Sequence, residues 1–336
     1  MKNKINLRCL ILPLLGVISI ASCKKDGNID NLNEKLVTNA VAIENGYLKF
    51  RDQKAFDSLL SVLVKPENIK SKPKELANFK SYKDIFLEIE KEYENVNTSK
   101  AFDDFKNKYS EIVAIKSDSS LTYKFGTPLS ALFTNSKGEV KIGDFTTVYT
   151  KDNRIVSYKG KYKNESEVAT ISKTDKSQGI FVTSLSGGYI TAKSNQMAGV
   201  EGTTTRVVRS RLYYNEDGKR RLFVDIWVDE TPNQGPNDWT PRPPISRYYC
   251  SSRQELKKTF GGWRTNETDY YFDNLNYAWQ IRGGMGDYRY FNLAYHSVQG
   301  VYGPVIIDMA TISEEIMLLS GSGHFTSGGV PNTPIF

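Results

Sequence analysis

Hydrophobic positions in the first half of this chain recur at helical spacing, whereas those in the second half alternate with period two. Phe56, Leu59, Leu60 and Leu63 fall at i, i+3, i+4 and i+7, and Asp52 stands where an N-cap belongs. The pattern predicts a helix from about Gln53 to Val64, stopped by Pro66. Ser81-x-x-Asp84 has the form of a capping box ahead of Ile85, Phe86, Ile89 and Tyr93. A third short helix follows the cap candidates Thr98 and Ser99, with Phe102, Phe105 and Tyr109 on one face. These aromatic stripes read as core seams rather than ligand sites. Thr127-Pro128 then offers a cap and a first-turn proline for a turn or two over Leu129 to Phe133.

After that the period shortens. Asn135-Ser136-Lys137-Gly138 is a turn, Val140-Lys141-Ile142 alternates, and Phe145 to Tyr149 reads as a strand. Asp152-Asn153 is a hairpin turn into Ile155 to Tyr158. Further on, Thr205 to Tyr214 runs into Asn215-Glu216-Asp217-Gly218 and returns as Arg220 to Asp229, which places Leu222, Val224, Ile226 and Val228 on one face. Strands are also predicted over Ile245–Cys250, Tyr270–Phe272, Tyr277–Arg282, Tyr288–Ser297, Val305–Thr311 and Ile316–Leu319. Short strands with glycine-rich turns and hardly any helix argue for an antiparallel sandwich, immunoglobulin-like in outline but without an inter-sheet disulfide. The expected fold class is therefore α+β, a small helical N-terminal module with a β-hairpin followed by a C-terminal β-sandwich.

The extreme N-terminus follows neither period. Lys2, Lys4 and Arg8 form a charged start, Cys9 to Ile20 a twelve-residue apolar run, and Ala21-Ser22 a small-residue cleavage context. Twelve apolar residues are too few to span a bilayer, which needs ~20. Residues 1–22 thus read as a leader. Residues 23–36, polar and rich in asparagine, read as a flexible tether, with ordered structure from about Val37. Once Lys2, Lys4 and Arg8 leave, the formal charge falls from +7 to +4. Acids and bases alternate along the remainder with no concentrated basic stripe, so nucleic acid is not an expected partner. Composition also divides the body. Residues 24–163 hold 23 lysines and 2 arginines, residues 164–336 hold 6 and 11, and all four tryptophans lie in the second part. Two units are expected, the helical-plus-hairpin module over 37–163 and the sandwich over 164–336.

Ile20-Ala21-Ser22-Cys23 resembles a bacterial lipobox, in which the cysteine is acylated and becomes the first residue. Lys24-Lys25-Asp26 resembles the charged start common in Bacteroidota lipoproteins. The string from Thr127 to Ile155, with Gly138-Glu139-Val140-Lys141-Ile142-Gly143-Asp144 at its centre, is similar to a segment of uncharacterised Bacteroidota surface lipoproteins; the similarity covers roughly residues 40 to 160. Lys257 to Trp263 looks like a strand-to-strand turn of such proteins. The resemblance implies a lipid anchor on Cys23 and outer-membrane placement at the cell surface, anchored and not spanning; it implies no catalytic residue. Two or more acyl chains anchor stably where one does not.

Candidate chemistry is sparse. With Cys9 in the leader and Cys23 acylated, only Cys250 remains, so no intramolecular disulfide is expected, and Cys250 reads as a buried small hydrophobe. Two histidines, His296 and His324, exclude a His-rich metal centre, and no cofactor is expected. Arg209 and Arg211 share one strand face and Arg206 lies on the other; some of them are candidates for cross-strand pairing with Asp225 and Asp229 or for binding an anion, with ion pairing the favoured reading. Asp225 and Asp229 lie about 13 Å apart along a strand, too far for the paired carboxylates of a glycosidase. The candidate ligand-binding residues are Trp239, in a proline-rich loop, with Trp263, Tyr270 and Tyr271 as extensions of a sugar-stacking platform.

The expected function is non-enzymatic binding or display at the cell surface, with carbohydrate or protein as partner and the membrane engaged through Cys23. The alternatives are a surface hydrolase, with His296 and Asp308 the first pair to test, and a structural or adhesive component, marked by a long unpaired edge strand. Mass spectrometry of the purified mature protein should find acyl chains on Cys23 and no leader; a free thiol there or an intact leader would overturn the anchor.

Overall fold

A computed structural model describes residues 40–65, 68, 72, 73, 76–184, 204–231, 245–258, 262–281, 288–312 and 316–334. The leader, Cys23, the tether and Trp239 lie outside these residues. Strands β1 (Val41–Glu44) and β2 (Tyr47–Phe50) form a hairpin around Asn45-Gly46, both at positive φ, as the tightest hairpin turns require. Helix α1 (Gln53–Leu63) is capped by Asp52, whose carboxylate accepts from the Ala55 amide at 2.8 Å. The Ser81/Asp84 capping box opens α2 (Tyr82–Tyr93), and Thr98 caps α3 (Ser99–Tyr109). A small hairpin, β3 (Val113–Ile115) and β4 (Leu121–Tyr123), follows, then one 3-10 turn at Ser130–Leu132.

Strands β5 (Glu139–Ile142), β6 (Phe145–Tyr149) and β7 (Arg154–Lys159) complete the expected hairpins. The sheet itself runs past residue 163. Helix α4 (Glu165–Thr170) and strand β8 (Ile180–Ser184) close it, giving a six-stranded sheet in the order β1-β2-β5-β6-β7-β8. Val168, Ile171, Ile180 and Val182 pack on Val148, Val156 and Tyr158, so apolar burial carries this sheet past the point where lysine gives way to arginine. Composition follows the surface, and the surface changes before the core does.

Among the described residues the second part contains nine strands: β9 (Thr204–Tyr214), β10 (Arg220–Thr231), β11 (Ile245–Lys257), β12 (Trp263–Thr265), β13 (Glu267–Ile281), β14 (Tyr288–Tyr302), β15 (Val305–Ile312), β16 (Ile316–Ser327) and β17 (Val330–Pro334). A central sheet runs β12-β11-β10-β9, with β15 also on β11, and faces an outer sheet β14-β13-β16-β17. All pairings in both sheets are antiparallel. The sandwich is as expected, but its order, with β9, β10 and β11 adjacent in one sheet, differs from the strand split of an immunoglobulin domain. Leu222, Val224, Ile226 and Val228 line its core with Tyr248, Cys250, Phe272, Tyr277 and Trp279. No helix among the described residues is long and apolar enough to cross a membrane.

The other face of the central sheet is covered by the helical module. Tyr249 and Ile306 join the core built by Leu59, Leu60, Phe50 and Phe133. Polar contacts accompany this seam. Buried Arg221 bridges Glu255 at 2.6 Å and Asp118 at 2.8 Å, with its guanidinium 4.3 Å from the Trp263 ring centre. The Lys258 ammonium donates to the Tyr93 and Val96 carbonyls at 2.6 and 2.9 Å and lies over the Tyr93 ring, satisfying the C-terminal end of α2. Gly262 lies against the β3–β4 turn at positive φ; a Cβ there would meet the Ser119 Cβ at 2.8 Å, so only glycine lets the two backbones approach.

Glu90 sits in the same seam and accepts a 2.6 Å hydrogen bond from the Thr265 hydroxyl. Burial, only partly offset by Arg253, pushes its carboxyl up to about 7. The folded pKa therefore lies above the unfolded one, so the contribution to stability is fullest below about pH 4.5 and is lost as pH rises through 7. Glu90→Gln, which keeps an acceptor for Thr265, should flatten that fall and stabilise the protein by up to about 3 kcal/mol at pH 8 with little change at pH 4. Urea unfolding of both proteins at the two pH values checks this.

Candidate ligand-binding face

The sandwich buries one side of the outer sheet and leaves the other side open. Tyr270 and Phe272 are buried, and so are Leu275, Tyr277 and Trp279. Even and odd positions cannot share a face of one regular strand, so the parity must change between them. It does so at Asn274, which adopts positive φ within an irregularity of the β13–β16 ladder. Tyr271 and Asp273 are thereby turned outward on one side of the bulge, and Asn276 and Ala278 on the other.

Strand β14 pairs with β13 along this face and is an edge strand of the outer sheet. Its Phe291 and Leu293 pack on the core, so the residues between and before them point out. Tyr290 is 75% exposed, Tyr295 61% and Tyr288 43%. The Tyr288 and Tyr290 ring centres lie 6.5 Å apart. Tyr271, half-buried, donates its hydroxyl to Asp269 at 3.3 Å; the Asp269 charge raises its phenol pKa, with a smaller contribution from Tyr295. On the other side of β13, Ser320 and Ser322 pair with Ala278 and Asn276, and His324 pairs with Asp273. The result is a broad sheet surface with tyrosine rings along one margin and short polar side chains beside them. Such rings present apolar faces together with hydroxyls, which suits ligands that are themselves apolar on one side and polar at the rim.

Only part of the expected platform is here. Tyr271 belongs to this face. Tyr270 does not: it is fully buried, its hydroxyl accepting from the Gln254 amide at 2.9 Å, because the parity of β13 before the bulge turns it inward. Trp263 lies on the central sheet, half-buried between the Arg221 guanidinium and Tyr214, and so serves the seam with the helical module. Trp239 lies outside the described residues. The exposed aromatics missed by sequence reasoning are Tyr288, Tyr290 and Tyr295. Their signal was available in the alternation of Tyr288 and Tyr290 with inward Phe291 and Leu293.

The other candidate constellations do not assemble. His296 belongs to the outer sheet and stacks on Phe272, while Asp308 belongs to the central sheet, opposite Tyr249, where burial raises its carboxyl pKa. The Ser210 hydroxyl, not Arg209 or Arg211, donates to Asp225, since the arginines pair opposite Ile226 and Val224 on the alternate positions. Cys250 lies in the sandwich core, where burial pushes its thiol up. Among the described residues no group of three or more His, Cys, Asp or Glu side chains is placed to hold a metal ion.

Neither the protein-family models nor the curated proteins contain a match to this chain. Among solved structures, the crystal structure of a DUF4848 family protein from Bacteroides thetaiotaomicron is similar at 16% identity, covering 87% of this chain and 96% of that one, with a TM-score of 0.26. A likeness at this level carries no argument about function.

Truncation separates the two classes of tyrosine. Tyr270→Ala should cost about 3–5 kcal/mol by opening a core cavity, whereas Tyr290→Ala should stay within about 0.5 kcal/mol of the parent. Denaturant unfolding of both variants measures the difference.

Proposed function

We propose that this protein is a lipid-anchored, non-enzymatic binding protein of the outer-membrane surface whose ligand is a glycan taken on the tyrosine face. The observation that carries the reading is the row of Tyr288, Tyr290 and Tyr295 on the open side of the outer sheet. A pyranose offers an apolar face of C–H groups and a rim of hydroxyls. Exposed rings match the first, and the neighbouring Asn292, Ser320 and Ser322 match the second. The anchor is argued from the lipobox-like Ile20-Ala21-Ser22-Cys23, with Lys24-Lys25-Asp26 behind it, and acylation at Cys23 holds the body at the membrane without a spanning segment.

Hydrolysis is the weaker alternative, because His296 and Asp308, its best pair, stand in different sheets. One observation favours an adhesive role as a second reading. Strand β14 is a fifteen-residue edge with neither proline nor lysine, the residues that commonly block edge pairing.

On a glycan array, the mature protein should bind a subset of polysaccharides, and Tyr290→Ala with Tyr295→Ala should weaken that binding roughly 10- to 100-fold without lowering the melting temperature. Unchanged binding in the double variant would remove the face from consideration. Self-association that persists in its place would favour the edge-strand reading.

A further inference from the structure

A cavity of about 310 Å³ lies between the helical module and the central sheet, remote in the fold from the tyrosine face. Lys116 and Tyr123, from the β3–β4 hairpin, line it on one side; Phe223, Asp225 and Trp227 of β10, with Arg253 of β11, line it on the other. These β10 residues occupy the positions that alternate with the sandwich core, so the strand that anchors the fold on one face furnishes the cavity on the other.

Its apolar walls are already fixed. Trp227 stacks on Tyr249 with ring planes 3° apart, and its Nε1 donates to the Ser251 hydroxyl at 3.0 Å. The Arg221 and Arg253 guanidiniums lie 4.9 and 5.4 Å from the Phe223 ring centre. Neither ring has to be ordered by an incoming ligand, which favours binding.

Its polar groups are only partly engaged. The Tyr123 hydroxyl is buried and makes no hydrogen bond among the described residues. A buried donor in that condition, bordering a cavity, points to a partner that occupies the cavity. Lys116 is exposed and forms no ion pair among the described residues, whereas Arg253 is held by Glu255 at 2.6 Å. Lys116 is thus the cation free to meet an anion. Asp225 accepts from the Ser210 hydroxyl, and burial keeps its carboxyl above the ordinary range.

We propose that this cavity binds a single carboxylated sugar ring, a uronate, with one face of the ring on Trp227, its carboxylate at Lys116 and its hydroxyls against Asp225, Ser210 and Tyr123. The volume stands at the low end of small-molecule pockets and suits one ring rather than a chain. A free amino acid would share the carboxylate, but it offers no ring face to stack on Trp227, whereas a uronate does and also brings hydroxyls to meet those of Ser210 and Tyr123. The site depends neither on the tyrosine face nor on the lipid anchor.

The mature protein is titrated with sodium glucuronate, sodium galacturonate, glucose and glycine, followed by tryptophan fluorescence and ligand-observed saturation-transfer NMR. One uronate should bind saturably and at least tenfold more tightly than glucose or glycine. Lys116→Met should bring the uronate down to the level of glucose, and Asp225→Asn should weaken both sugars. Absence of saturable uronate binding, equal affinity for glucose, tighter binding of glycine, or uronate affinity that survives Lys116→Met would each overturn the site. Should Asp225→Asn fail to fold by circular dichroism, the exposed Lys116→Met and the uronate-to-glucose ratio of the parent still decide.

Discussion

Burial of the central sheet on both of its faces is the constraint on which the rest of this structure depends. Strands β10 and β11 must be apolar toward the outer sheet and must also fit a module of helices on their reverse. The first requirement is met by Leu222, Val224, Ile226 and Val228, the second by a mixed set that includes Arg221, Phe223, Trp227, Tyr249 and Glu255. A sheet so covered cannot shift its register by one residue without exchanging these sets, which would drive Arg221 into an apolar core and Leu222 against Asp118. Charge on one face and hydrocarbon on the other therefore fix the strand register together.

That same seam explains why so many of its polar groups are paired. Removing one partner of a buried ion pair leaves an uncompensated charge, at a cost of about 3–5 kcal/mol. Arg221 shared between Glu255 and Asp118, and Lys258 on two helix-end carbonyls, are arrangements in which few charges are left alone. Their directionality locks the helical module in one orientation, a role that a uniformly apolar contact would perform less selectively. Two buried polar atoms in this region, the Tyr123 hydroxyl and one Glu90 oxygen, make no hydrogen bond among the described residues.

The elements legible in the sequence were those whose determinants are local. Caps at Asp52, Ser81 and Thr98 opened three helices where the apolar spacing placed them, and the β9–β10 hairpin followed its Asn-Glu-Asp-Gly turn. The elements that were not legible are set by distant packing. Ser251 to Glu255 continue β11 although they read as polar chain, because their polar side chains face other parts of the fold rather than water. Strand β13 read as two pieces because Asn274 interrupts its alternation, and the interruption is a bulge that keeps both pieces facing inward. For the candidate site, the aromatic and polar character of the second part was legible, but the side to which each ring points was not. Tyr270 and Tyr271 are neighbours in the chain and belong to different environments.

The pairing of β2 with β5 is the one parallel contact in the first sheet, and it sets Lys49 beside Lys141. About ninety residues, including helices α1, α2 and α3, lie between these two strands. A chain emerging from its N-terminus therefore presents the β1–β2 hairpin with an unfilled side until the whole intervening segment has arrived. Helices α1, α2 and α3 thus behave topologically as an insertion between neighbouring strands, and the assembly of this sheet is a late event governed by loop closure rather than by the turns that start it.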